Sequence, residues 1–292
     1  MIINKTKNKV IENIAYGVFL LAGMITIGFV LLISIYLIIS GIPAIKEIGL
    51  LKFLFGTKWS STSSHPSFGI LPFILTSIYG TAGAIIIGVP IGFFTAMYLS
   101  KYAKGTTKAV LEAAIDLLAG IPSVIYGLVG MLVLVPLVKS TFNLADGAGL
   151  FSAMIVLAVM ILPSIIKVSL ASLDAVPQDY EAASLALGAS AAETYFKVSA
   201  RAAAGGITAA VVLGVGRAIG EAMAIIMVSG NAANMPGLFS SVRFLTTAVA
   251  GEMAYSSGLQ RQALFSIALV LFLFIMLINA ALNHFIKGER QK

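Results

Sequence analysis

Cysteine is absent from this 292-residue chain, and histidine occurs only at His65 and His284. A disulfide, a Cys-ligated zinc and an iron–sulfur cluster are thereby excluded, and a histidine metal site is not expected. Charge is scarce as well: Asp, Glu, Lys and Arg make up 11% of the residues, against about 25% in an ordinary soluble domain. No segment matches the phosphate loop G-x-x-x-x-G-K-[ST], so the chain does not bind ATP in that way. No Ser, His and Asp set and no carboxylate pair points to covalent chemistry, so neither an enzyme nor a cofactor is expected.

Apolar side chains fill the space instead. They account for 59% of the residues, give a mean hydropathy of +1.01, and form runs longer than about 18 residues, the length that crosses a bilayer as a helix. In lipid each backbone amide must be satisfied within its own segment, which predicts an all-α membrane protein. The net charge of +7 comes from Lys and Arg in short clusters between the runs. They form no basic face with aromatics, so the expected partner is a lipid bilayer and not nucleic acid.

Six runs predict six transmembrane helices, at roughly 14–40, 71–99, 110–138, 150–173, 207–228 and 263–286. Lys5, Lys7 and Lys9 before the first run imitate a signal peptide, but the run is too long for one and is read as a retained helix. Segments 1–13 and 287–292 are the tails and 14–286 the membrane domain. Of 19 Lys and Arg residues, 12 are counted on the side of the N-terminus, with Lys167 near the end of the fourth run among them, 6 on the other side, and Arg217 inside the fifth run. The positive-inside rule then places both termini in the cytoplasm. Trp59 and Lys58 are expected to anchor the interface at the end of the first outside loop.

The inside segment 174–206 is not a polar linker but reads as two short helices. Pro177 starts the first, Asp179 and Glu181 lie near its positive end, and Tyr180, Ala183, Ser184 and Leu187 recur at helical spacing before Gly188. Such a helix either lies on the membrane or docks into a partner. Membrane-surface helices carry Lys and Arg on the polar face, and the acids here favour docking.

Within the fifth run Arg217 and Glu221 stand four residues apart, one helical turn that predicts a shared face. An Arg at bilayer depth costs about 2.5–3.5 kcal/mol on insertion scales and is rare unless paired or on a transport path. Two readings are open: Glu221 neutralises Arg217, or Arg217 meets an anion. The planar guanidinium suits an oxyanion because it offers two parallel donors, and a nearby carboxylate would moderate the grip. Pro90 with Gly92 is expected to break the second run, and Gly120, Ile121 and Pro122 the third; broken helices often surround substrate paths, though tolerated kinks are common. Ser123 and Tyr126 are then candidate hydroxyl donors to the anion.

The stretches GILPFILTSIYGTAGAIIIGVPIG (69–92), AGIPSVIYGLVG (119–130), ILPSII (161–166), SLALGAS (184–190), GRAIGEAMA (216–224) and FLTTAVAGEMA (244–254) resemble the permease subunits of bacterial phosphate ABC importers. GRAIGE followed by Ser229-Gly230-Asn231, with the late Glu252-Met253, looks like the PstC type more than its PstA-type partner. The resemblance implies the type I, MetI-like architecture in a bacterial inner membrane. It also implies half of a path for inorganic phosphate, beside a PstA-type permease, two PstB-type ATPase subunits and a PstS-type extracytoplasmic binding protein. Segment 174–206 would be the loop that the ATPase grips. The family has Glu-Ala-Ala, three residues, then Gly; here Ala182 stands where the glutamate is usual, with Asp179, Glu181 and Gly188 around it, and Ala200-Arg201 replaces Leu-Pro. A permease for another oxyanion such as sulfate or molybdate, and a gradient-driven transporter, are the alternatives.

Overall fold

The computed structural model describes residues 5–61 and 63–289, and side-chain surroundings within 12–281 apart from Thr62. The outermost parts of the tails 1–13 and 287–292 lie outside the described residues. The chain opens with α1 (Lys5–Ile48), α2 (Leu50–Phe55) and a small antiparallel hairpin of β1 (Trp59–Ser60) and β2 (Ser67–Phe68). Next come α3 (Leu71–Lys101), α4 (Gly105–Gly120), α5 (Ser123–Val129), a π-helical turn (Gly130–Leu134), α6 (Val135–Thr141) and α7 (Leu150–Asp174). The last third holds α8 (Gln178–Ala186), α9 (Ala191–Glu193), a second π turn (Thr194–Ser199), α10 (Ala200–Ala202), α11 (Ala204–Gly220), α12 (Met223–Val228), α13 (Leu245–Glu252) and α14 (Gly258–Glu289).

Among the described residues, five unbroken stretches are long and apolar enough to span a membrane: Glu12–Ile48, Leu71–Lys101, Ser123–Thr141, Leu150–Asp174 and Gly258–Ala281. A sixth span comes from α11, which meets the preceding helical segment Ala191–Ala202 at a bend of 71°. The expected all-α architecture of six spans is therefore present, but three of its details differ from the sequence reading. The run 110–138 breaks where Gly120, Ile121 and Pro122 are expected to break it, with Ile121 extended before Pro122 (φ −69°, ψ 126°), but only its second half belongs to the span. The span itself is α5 to α6. Helix α4 carries Lys108, Glu112 and Asp116 instead, and joins α7 through Lys108 to Asp174 (3.4 Å) and Lys167 to Asp116. The second run, expected to break at Pro90, continues unbroken through it. Trp59 is no interface anchor: it is 9% exposed and packs edge-on to Phe68, with ring centroids 5.3 Å apart.

Helix α7 lies at the centre of the bundle, with Ala153, Leu157, Met160, Ile161 and Ile165 all buried. Glycines let α3 and α11 approach it closely. A Cβ on Gly92 would stand 2.7 Å from Ile165 Cγ2, one on Gly88 2.9 Å from Ile161 Cδ1, and one on Gly214 3.2 Å from Ile165 Cδ1. In lipid, association rests on such packing because tails and side chains are equally apolar. Helix α1 stands apart, its side chains exposed over most of its length. It joins α14 near one end, where Ser266 Oγ donates to the Gly41 carbonyl at 2.6 Å.

Candidate functional site

The fifth span is interrupted within its most informative motif. Helix α11 stops at Gly220, Glu221 is extended (φ −73°, ψ 130°), and α12 starts at Met223. A break of this kind orphans backbone carbonyls on one side and N–H groups on the other. Two side-chain bonds satisfy part of that demand. Glu221 Oε1 accepts from the Ala224 N–H at 2.9 Å, and Thr246 Oγ1 on α13 donates to the Glu221 carbonyl at 2.7 Å.

Arg217 and Glu221 thus do not share the face of one helix, since the helix ends before Glu221 and its carboxylate turns to the next one. The described ion pairs do not join them. Arg217, half-buried, donates from Nη1 to Ser164 Oγ of α7 at 3.2 Å. A hydroxyl holds a guanidinium in place without neutralising it, and Arg has five donors to offer.

The two broken spans run side by side. A Cβ on Gly127 of α5 would lie 2.8 Å from Ala224 Cα and 2.9 Å from its carbonyl oxygen, so α5 and α12 touch backbone to backbone. Ser123 opens α5 and is half-buried. Tyr126 is less available than its sequence position suggested, because its hydroxyl donates to the Leu118 carbonyl at 2.6 Å across the α4–α5 break. It lines an apolar groove of about 370 Å³ with Ile121, Val129 and Val156. Ser164 and Thr246 escaped the sequence reading, since a lone hydroxyl in an apolar run carries no periodic signal.

A second polar cluster lies beside the hairpin. Glu252 at the end of α13 accepts from Trp59 Nε1 (3.4 Å) and Gln260 Nε2 (3.0 Å) and is ion-paired with Arg243. Arg243 also donates to the Asn231 carbonyl at 2.8 Å. Sequence reading counted Arg243 only as a loop charge.

At the opposite end, the two short helices expected in 174–206 are both present. The face of α8 that meets the bundle is polar. Glu181 pairs with Lys101 at 2.5 Å and accepts from Ser199 Oγ at 2.8 Å, and Ser184 and Thr194 hydroxyls lie 2.9 Å apart. Its outward face carries Asp179, Tyr180, Ala182 and Leu185, all exposed, with Leu187 90% exposed just beyond the helix. The amphipathic helix is thus turned apolar side out, which sequence periodicity alone could not orient. Gly188 closes it at φ +87°, and Ser190 with Glu193 forms a capping box at the start of α9.

The family model for the binding-protein-dependent transport system inner membrane component matches residues 88–291. The chain belongs to this family. It is a multi-pass inner-membrane permease subunit of an ABC importer, and ATP hydrolysis belongs to a separate subunit. Among its relatives, the probable ABC transporter permease protein YqgH of Bacillus subtilis is 35% identical, over 95% of this chain and 93% of that protein. The phosphate transport system permease protein PstC of Haemophilus influenzae is 36% identical, over 84% of each. The fold of this permease is also that of a subunit in a bacterial alginate ABC transporter, at TM-score 0.64 and 14% identity over 94% and 95% of the two chains. The MetNI methionine ABC transporter gives TM-score 0.59 and 18% identity, over 75% of this chain and 97% of that one.

Proposed function

We propose that this permease is the PstC-type subunit of an importer of inorganic phosphate. The observation that carries the reading is Arg217: a half-buried guanidinium in an apolar bundle, beside a helix break, bonded to a hydroxyl and joined to no carboxylate among the described ion pairs. A charge left in such a place calls for an anion, and the planar fork fits two oxygens of phosphate. Relatives named as PstC favour phosphate over sulfate or molybdate. Ser164 steers the guanidinium, Ser123 stands by as a hydroxyl donor, and Glu221 shapes the break through its backbone and its cap on α12.

The path is completed by a PstA-type permease, the energy comes from two PstB-type ATPases, and phosphate is delivered by a PstS-type binding protein. Both termini are cytoplasmic, following the excess of Lys and Arg on that side. Helix α8 then faces the cytoplasm and offers Tyr180, Ala182, Leu185 and Leu187 to the ATPase, with Asp179 on the rim, while the Lys101–Glu181 pair clamps it to the bundle. Residues 14–286 form the membrane domain, with 174–206 as its coupling loop.

Deleting the subunit is expected to abolish high-affinity uptake of radiolabelled phosphate while low-affinity uptake remains. Unchanged uptake at low phosphate sinks the assignment, and inhibition by sulfate or molybdate at equal concentration moves it to another oxyanion.

A second test concerns Gly188→Val. Open space surrounds Gly188, so the penalty is purely in its left-handed backbone, about 1–2 kcal/mol for a residue with a Cβ. Membrane insertion should persist while ATPase co-purification falls severalfold. Normal recovery of the ATPase, with normal hydrolysis, would show that the turn does not shape the docking face.

A further inference from the structure

We propose that Thr246 is a positioning residue that sets the geometry of the break between α11 and α12, and through it the presentation of Arg217. The proposal rests on the anion-site reading above for its consequence in transport, but its geometry stands independently.

Glu221 is held from two directions. Its carboxylate bonds forward to Ala224 N–H, within its own segment, whereas its carbonyl is held from outside by Thr246 Oγ1 at 2.7 Å. Thr246 is 7% exposed, so no bulk water stands ready to replace it as donor. A carbonyl freed at a helix break in an apolar bundle must find another partner, and a helical bond from the Ile225 N–H would draw Glu221 into α12. The break is then a balance between helix and loop, and Thr246 weights it toward loop.

The anchor itself is fixed. Helix α13 has 8 residues, about 12 Å at 1.5 Å per residue. Ser77 Oγ of α3 accepts from the Leu245 N–H at 3.0 Å at its start. Glu252 at its end is gripped by Trp59, Arg243 and Gln260. A short helix tied at both ends has little freedom to follow a wandering partner, so Thr246 dictates where the Glu221 carbonyl lies. Thr247, its neighbour, only caps α13, accepting from the Phe244 N–H at 3.0 Å. The two threonines therefore have different jobs despite their adjacency.

The absence of cysteine makes the test direct. A thiol introduced by Ala222→Cys in the break is the only one in this chain, and it reacts with a membrane-impermeant thiol reagent when it meets water as thiolate. In the assembled complex reconstituted in lipid vesicles, Thr246→Val keeps the shape and removes the donor. It should change the labelling rate at position 222 by at least threefold, with an unchanged amount of assembled complex. Thr246→Ser, which restores the hydroxyl, should return the parental rate; Thr246→Ala, a second variant without the donor, should shift the rate in the same direction as Thr246→Val. A parental rate in assembled Thr246→Val or Thr246→Ala overturns the role, and so does a shifted rate in Thr246→Ser. Labelling needs no phosphate. Lack of phosphate uptake by the parent vesicles would therefore overturn the substrate reading while the labelling ratio still decides the role of Thr246.

Discussion

Arg217→Lys is expected to leave the amount of permease in the membrane unchanged and to cut phosphate uptake per inserted molecule about tenfold or more. Charge is kept, so insertion and the electrostatic attraction of the anion persist. What goes is the planar fork: an ammonium is a point charge with rotating donors and does not match two phosphate oxygens at once. The bond to Ser164 Oγ, 3.2 Å in the parent, would engage a lysine's single nitrogen and leave it no second one to offer an anion. Arg217→Ala, by contrast, should not strand a carboxylate, because Glu221 bonds to Ala224 N–H instead of to Arg217. That separates this arrangement from an ordinary buried pair, in which removal of either member leaves the other unpaired and the protein unstable. Glu221→Gln keeps an acceptor for the same N–H and should insert at parental levels. Normal uptake per molecule in Arg217→Lys would mean that the guanidinium only braces α11 against α7.

The spans were legible because lipid imposes one rule on every backbone, and a run of apolar residues satisfies it only as a helix. That rule says nothing about breaks. Ile121-Pro122 carries the boundary signal, yet hydropathy runs smoothly across it, and the polar residues that mark α4 as no part of the span, namely Lys108, Glu112 and Asp116, lie a turn apart on one face. Pro90 shows the converse. It has the same residue type and an unbroken helix, because α3 packs along α7 through Gly88 and Gly92 and that packing outweighs one lost bond. The break at Glu221 has no proline at all. Its carboxylate completes a cap on α12 and its carbonyl finds a hydroxyl 25 residues further along the chain, and the second of these depends on α13, which the sequence places only in an outside loop. Arg217 was found because a charge in an apolar run is conspicuous; Ser164 and Thr246 were not, because hydroxyls in such runs are common and usually bond their own helix.

Glu252→Ala should produce the largest loss of stability among single changes in the cluster beside the hairpin, about 2 kcal/mol or more. Glu252 and Arg243 side chains are 23% and 20% exposed, so water screens the pair only in part. Arg243 cannot leave when its partner goes, because its Nε is bonded to the Asn231 carbonyl at 2.8 Å and its guanidinium lies 5.8 Å from the Phe73 ring centre. The truncation therefore strands a positive charge against apolar surface, and it also frees the donors of Trp59 and Gln260. Glu252→Gln should cost less, since an amide oxygen still accepts from Gln260 and from the indole. Replacing both members, Arg243→Leu with Glu252→Leu, removes the charges together and should be less damaging than the sum of the two single changes, with a coupling of about 1 kcal/mol or more. The measurement is the thermal transition of the solubilised complex at fixed subunit composition, because bound partners shift the apparent stability. Strict additivity of the two changes would show that Arg243 and Glu252 do not stabilise one another, and that the bonds from Trp59 and Gln260, with packing against α14, hold α13 at this end.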